Sequence, residues 1–191
     1  MFRHHTSSSG SPGWISMLRS ALFAVFIALL SACATVEPSD YANEKPVLDL
    51  QKYFNGTVDA AGVFQDRSGK VVKRFTVVMR CEWKGDVGTL DEAFTYSDGT
   101  TQRRVWTLRK VAPDRFIGTA DDVIGEAVGT VAGNALRWQY VLALPVDGKV
   151  YHVDFDDWMF LMNDTVMLNR ATMSKYGFRL GEVILSFSRR P

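Results

Sequence analysis

From residue 57 onward, apolar and polar side chains alternate with a period of two. That is the spacing of strands with one face inward and one in water, not the period of about 3.6 that marks a helix. Over 71–83, Val71, Phe75, Val77, Met79, Cys81 and Trp83 share a face, and Arg74, Thr76, Arg80 and Glu82 take the other. Over 136–144, Leu136, Trp138, Tyr140, Leu142 and Leu144 share a face, with Arg137 and Gln139 opposed. The stretches 149–161 and 165–174 alternate in the same way, and Val183, Leu185 and Phe187 line a last strand. Turn chemistry separates the runs: Asp66-Arg67-Ser68-Gly69, Gly85-Asp86, Ser97-Asp98-Gly99-Thr100, Ala112-Pro113-Asp114, Gly133-Asn134, Asp147-Gly148, Asn163-Asp164 and Tyr176-Gly177. Asp or Asn beside Gly is the residue choice of tight hairpins.

Residues 121–133 carry Gly125, Gly129 and Gly133, which disfavour a helix and suit a strongly bent strand. With no βαβ spacing, the pattern predicts an all-β fold: an antiparallel calycin- or lipocalin-like barrel of about 8–10 strands, because closing a meander removes its edges. A β-sandwich is the runner-up. Val47, Leu48, Leu50, Tyr53 and Phe54 form an apolar cluster that could be a helical turn closing one end.

The N-terminus reads as an address. Residues 21–30, ALFAVFIALL, are continuously apolar, follow Arg19 and precede Ser31-Ala32-Cys33. A basic start, a short apolar core and small residues at its exit make a secretory signal, too short to span a bilayer, which needs roughly 20 apolar residues. Leu30-Ser31-Ala32-Cys33 resembles a bacterial lipobox, which implies acylation of Cys33 and cleavage before it. Two or three acyl chains anchor stably where one does not. Ala34 after the cysteine, by resemblance to proteobacterial lipoproteins, favours the outer membrane, with the domain facing the periplasm. The expected organisation is a signal peptide over 1–32, a lipidated tether over 33–50 and a single barrel over 51–191. Residues 1–16 are Gly/Ser-rich and read as an extension ahead of a start at Met17.

Processing leaves 20 basic residues, since Arg3 and Arg19 are lost from 22, against 21 acidic ones. The mature charge of −1 carries no polyelectrolyte signature, so nucleic acid is not an expected partner. Of two cysteines only Cys81 remains in the folded part, in step with apolar residues, and it reads as inert core.

Tyr53-Phe54-Asn55-Gly56, Gly62-Val63-Phe64-Gln65-Asp66, Arg104 with Trp106, Gly118-Thr119-Ala120-Asp121, Asp154-Phe155-Asp156-Asp157-Trp158 and Asn169-Arg170-Ala171-Thr172-Met173 are among the residues by which the mature chain resembles the proteobacterial lipoprotein family catalogued as domain of unknown function 3833. The resemblance implies a calycin-like shape and a link to fatty-acyl chemistry, but no catalytic residues.

No nucleophile elbow, Cys-His pair or phosphate loop is present. His152, Asp154 and Asp156 share a face without a metal-binding spacing, so no cofactor or metal is expected. Asp157 falls among the apolar residues of its strand, and a buried carboxylate needs a partner. Arg170 is the expected one, and Arg104 the expected partner of Glu92 across a hairpin. The candidate cavity residues are Glu92, Phe94, Tyr96, Arg104, Trp106, Trp138, Tyr140, Asp157 and Arg170. An arginine there would hold an amphiphile's carboxylate or phosphate head while aromatics line its tail; structural ion pairs are the alternative. Three functions follow in rank order. The first is a membrane-anchored carrier of an acyl or other hydrophobic ligand. The second is an adaptor docking on an envelope protein partner, and the third a lipid-modifying enzyme.

Overall fold

The computed structural model describes Met1, residues 35–146 and residues 148–191. Apart from Met1, the expected signal peptide over 1–32 and its extension over 1–16 lie outside the described residues, as does Cys33. Ten strands follow in sequence: β1 (Gly56–Asp66), β2 (Val71–Lys84), β3 (Val87–Tyr96), β4 (Thr101–Ala112), β5 (Arg115–Thr119), β6 (Val123–Ala132), β7 (Ala135–Val146), β8 (Lys149–Leu161), β9 (Val166–Lys175) and β10 (Phe178–Arg189). Each pairs antiparallel with the next, and β10 pairs with β1 from Val58 opposite Arg189 to Asp66 opposite Gly181. The sheet is therefore a closed calycin-like barrel, and the sandwich alternative is excluded.

Alternation decides which side chains point inward. Along β2, Phe75, Val77, Met79 and Cys81 are buried while Arg74, Thr76, Val78 and Arg80 are exposed. Val71, expected on the inner face, is exposed, because the ladder between β1 and β2 shifts register at Phe64/Gln65 and re-aims the start of β2. The glycines of β6 act as the sequence suggested. Gly125 takes φ +72° where the β6–β7 ladder skips from Ile124 to Val128, bending the strand. At Gly118 an added Cβ would lie 2.5 Å from the Trp138 ring, and one at Gly129 would also strike that indole. Glycine at both places lets β5 and β6 pass beneath the bulkiest side chain of β7.

One end of the barrel is plugged. The short helix α1 (Leu50–Tyr53) is N-capped by Asp49, whose side chain accepts from the Lys52 backbone at 3.1 Å. Leu48, Leu50, Tyr53 and Phe54 are all buried, although Val47 is not. Tyr53 Oη donates to the Thr165 carbonyl at 3.0 Å, Trp83 Nε1 to the Phe54 carbonyl at 2.8 Å, and Gln51 Nε2 to the Gly85 carbonyl at 2.9 Å. These bonds tie the plug to the turns of one rim.

The stretch expected to be a tether is, from Glu37 onward, part of the wall. Tyr41, ending a 3-10 turn at Pro38–Tyr41, packs on the outer rings of Trp158 and Phe160 at 5.7 and 5.1 Å. Arg137 reaches Glu37 at 3.1 Å and grips Asp156 at 2.7 and 2.9 Å. Proline punctuation hid this docking because it is made by side chains, not by a regular element. Glu37–Pro191 is one compact unit holding the whole described core.

Candidate functional site

Ten strands spaced about 4.8 Å apart and tilted about 40° close on a radius of about 10 Å, against about 8 Å for eight strands, whose side chains just fill the interior. The extra circumference leaves a cavity of ≈ 1290 Å³ inside this barrel. Ligand clefts ordinarily run about 300–1,000 Å³, so this space is larger than most. Leu50 and Phe54 floor it. The other end is open, edged by Asp66, Thr100, Asp121 and the exposed apolar residues Val72, Val146, Val150 and Leu180.

Five of the aromatic candidates line this space: Phe94, Tyr96, Trp106, Trp138 and Tyr140. Trp106 meets Trp138 and Tyr140 edge-on at 5.7 and 5.4 Å, and Tyr140 stacks on Phe155 at 5.0 Å. These contacts pin the rings at mid-depth and below it. Phe94 and Tyr96 stack nearer the mouth, and Tyr96 Oη donates to Gln102 at 2.7 Å.

Glu92, Arg104 and Asp157 also face the cavity. Glu92 and Arg104 are register partners on β3 and β4, as the hairpin pattern indicated, with 3.9 Å between Arg104 Nη1 and Glu92 Oε2. The firm partner of Arg104 is a different residue. Its Nε donates to both oxygens of Asp122 at 3.0 Å and its Nη2 to one of them at 2.7 Å. Asp122 lies in the connection between β5 and β6, where alternation carries no information. Only the pair Asp121-Asp122 beside a turn could have flagged it.

Arg170 is not in the cavity. It stands on the outer wall, its side chain 62% exposed, and holds Glu182, which Arg179 also contacts at 3.0 Å. The inward partner of Asp157 is its strand neighbour Asn169, whose Nδ2 donates to Asp157 Oδ1 and, at 3.2 Å, to the Trp158 carbonyl. Strand β9 misled the reading because both its faces are half apolar: Val166, Leu168 and Thr172 against Met167, Ala171 and Met173. The barrel turns Leu168 to solvent and seats a neutral amide beside the acid, which avoids desolvating a guanidinium.

Burial dominates the protonation of both interior acids. It pushes Glu92 up to about 7, against the pull of Arg104 and with the help of Asp122 and Asp157. It pushes Asp157 to about 7 against the Asn169 hydrogen bond. Tyr140 is raised well above its ordinary value by the same desolvation, with Asp157 adding. Arg104 is raised, held by Asp122 and Glu92 against its own desolvation. Cys81, buried on the inner wall, has its thiol pushed up to about 12 by burial and then by Glu92, which leaves it no thiolate chemistry near neutrality. Among the described residues, no three His, Cys, Asp or Glu side chains form a group able to hold a metal.

Residues 27–189 match the model of a family described as "Protein of unknown function (DUF3833)". No curated protein matches the chain. Among solved structures, the S-type phycobiliprotein lyase CPES from Guillardia theta is similar at 5% identity and TM-score 0.55, over 82% of this chain and 99% of that one. A protein of unknown function from the DUF3598 family of Nostoc punctiforme matches at 12% identity and TM-score 0.47, over 77% of this chain and 51% of its own length. A de novo designed fluorescence-activating β-barrel matches at 14% identity and TM-score 0.43, over 75% and 99%. At 5% identity the likeness to the lyase is one of fold alone.

Proposed function

The chain belongs to the DUF3833 family, whose description assigns no activity, and from its interior we propose that it binds or carries a hydrophobic or amphiphilic ligand, acyl chains included. The observation that carries this reading is a cavity of ≈ 1290 Å³, floored by Leu50 and Phe54 and open at a mouth where Val72, Val146, Val150 and Leu180 alternate with polar residues. A cavity walled by aromatic and aliphatic side chains gains from replacing its water with a hydrocarbon guest. We further propose that acyl groups on Cys33 tether the barrel to a bacterial outer membrane, on its periplasmic side. The compact unit begins at Glu37, four residues after that cysteine.

The test is extraction and mass spectrometry of the full chain produced in a bacterium that processes lipoproteins, with Nile red titration of the stripped protein. The carrier reading expects a co-purifying amphiphile and saturable dye binding, displaced by added lipid. A stripped barrel that takes up neither dye nor lipid overturns it. Intact mass settles the anchor separately: an acyl mass increment lost in Cys33→Ala supports it, and an unmodified Cys33 overturns it.

One observation favours the adaptor reading as a second choice. The β9–β10 hairpin carries Tyr176 and Phe178 at 85% and 77% exposure, large apolar groups that a partner protein would cover. Cross-linking in cells from Tyr176 to one envelope protein would support this, and exclusively lipid adducts would oppose it.

A further inference from the structure

The charges lining the cavity are unbalanced. Five acidic residues line it, Glu92, Asp122 and Asp157 inside and Asp66 and Asp121 at the mouth, against two cations, Lys73 and Arg104. Both cations are already engaged. Arg104 is clamped by Asp122 through two nitrogens and lies over the Phe94 ring at 5.6 Å. Lys73, at the mouth, pairs with Asp98 at 3.0 Å and sits 4.2 Å from the centre of the Tyr96 ring. The two deep acids are not matched in this way. Glu92 has a side chain only 12% exposed, and its nearest guanidinium nitrogen, at 3.9 Å, is beyond hydrogen-bond reach. Asp157 is 8% exposed, and its one hydrogen bond among the described residues, from Asn169, reaches Oδ1 and leaves Oδ2 without a donor. Trp106 stands one pleat toward the floor from Glu92, Tyr140 and Phe155 stand one pleat toward the mouth from Asp157, and the π faces of these rings attract cations.

We propose that the cavity selects an amphiphile with a cationic head, an alkylamine or alkylammonium in chemical class, seated against Glu92 and Asp157 within the Trp106–Tyr140–Phe155 cluster. This rests on the carrier reading and sharpens it. It also reverses the expectation that an arginine holds a ligand's carboxylate, because the charge of Arg104 is already paired with Asp122 and its remaining nitrogen, Nη1, lies beside the Glu92 carboxyl group. A fatty-acid carboxylate would enter beside two further carboxyl groups, with no unengaged cation to receive it. A cation supplies the partner that both deep acids lack, in a site where water is displaced and charge-assisted hydrogen bonds are strong.

The experiment titrates the Glu37–Pro191 unit, which contains the closed sheet and the whole described core, with four ligands of equal chain length: dodecylamine, dodecyltrimethylammonium, dodecanol and dodecanoate. Each is kept below its micelle concentration at pH 8 and followed by calorimetry and tryptophan fluorescence. Both cations are expected to bind at least about tenfold more tightly than dodecanoate, the scale of one charge-assisted hydrogen bond, with dodecanol between. The double variant Glu92→Gln, Asp157→Asn should lose that preference and keep dodecanol affinity within about twofold. Dodecanoate binding as tightly as the amine, or equal binding of all four, overturns the head-group proposal and leaves the carrier reading standing. Failure of all four to bind overturns both. If the double variant does not fold, the ranking on the parent protein decides the matter alone.

Discussion

Glu92→Gln should make the empty barrel more stable at alkaline pH, by an amount that follows from its burial. Glu92 ionises at about 7 in the folded chain against an ordinary 4.5. The shift of roughly 2.5 units corresponds to about 3 kcal/mol at 1.36 kcal/mol per unit. The sign follows from proton counts. Between about pH 4.5 and 7 the folded state holds a proton that the unfolded chain has lost, so this residue's contribution falls as pH rises through that window. Above it, both states are ionised and the deficit is constant. Glutamine has nearly the same shape as protonated glutamate and does not titrate. The variant should match the parent near pH 4 and exceed it by about 3 kcal/mol at pH 8, a rise in Tm of roughly 6–12 °C for a domain of this size. Arg104 keeps its clamp from Asp122 in the variant, so no orphaned guanidinium confounds the comparison. Urea unfolding of ligand-free protein at pH 4, 6 and 8 measures the difference. Parallel curves for parent and variant, or a variant less stable at pH 8, would show that the attraction of Arg104 outweighs desolvation, and the account of the interior acids would be wrong.

The same linkage gives a pH dependence for binding: dodecylamine affinity should rise between pH 5 and 8 as Glu92 and Asp157, each ionising at about 7, lose their protons, and dodecanoate affinity should fall. The groups that set this response are Arg104 and Asp122 beside Glu92, Asn169 and Asp156 beside Asp157, and Tyr140 facing both. Arg170→Ala should leave every ligand affinity unchanged, because Arg170 lies on the outer wall, while lowering unfolding stability by about 1–3 kcal/mol through the loss of a partner for buried Glu182. Phe54→Ala should cost about 3–5 kcal/mol and open the floor, seen as a lower Tm and faster release of Nile red.

Much of this architecture was legible from alternation alone. Period two and Asx-Gly turns specify a meander, and a meander of this length closes, so the barrel and the inward placement of Trp106, Trp138, Tyr140 and Asp157 followed. What was hidden has a common cause. Alternation reports a face only where the two faces differ in polarity, and on β9 they do not, so Arg170 was placed inside and Asn169 overlooked. Loops have no period, so Asp122 was invisible although it is the strongest partner Arg104 has. Docking of 37–46 depends on Tyr41 against Trp158 and on Arg137 against Glu37, contacts between segments about a hundred residues apart that no local pattern encodes.

The hollow interior also follows from counting strands, but its polar belt does not. Filling the mid-depth positions of β3, β4 and β8 with leucine and methionine would give a more stable barrel, since replacing buried charged groups by well-packed apolar ones is often neutral or favourable by about 1–4 kcal/mol. Glu92 and Asp157 instead face a cavity with at most one partner each, and burial holds both near 7. A fold that carries two such groups is less stable empty than it could be. Their energetic deficit disappears only when a donor or a cation enters. The stability of the free barrel and the chemistry of its guest are therefore two readings of one quantity, and a substitution that raises the first by neutralising Glu92 should weaken the hold on a cationic guest.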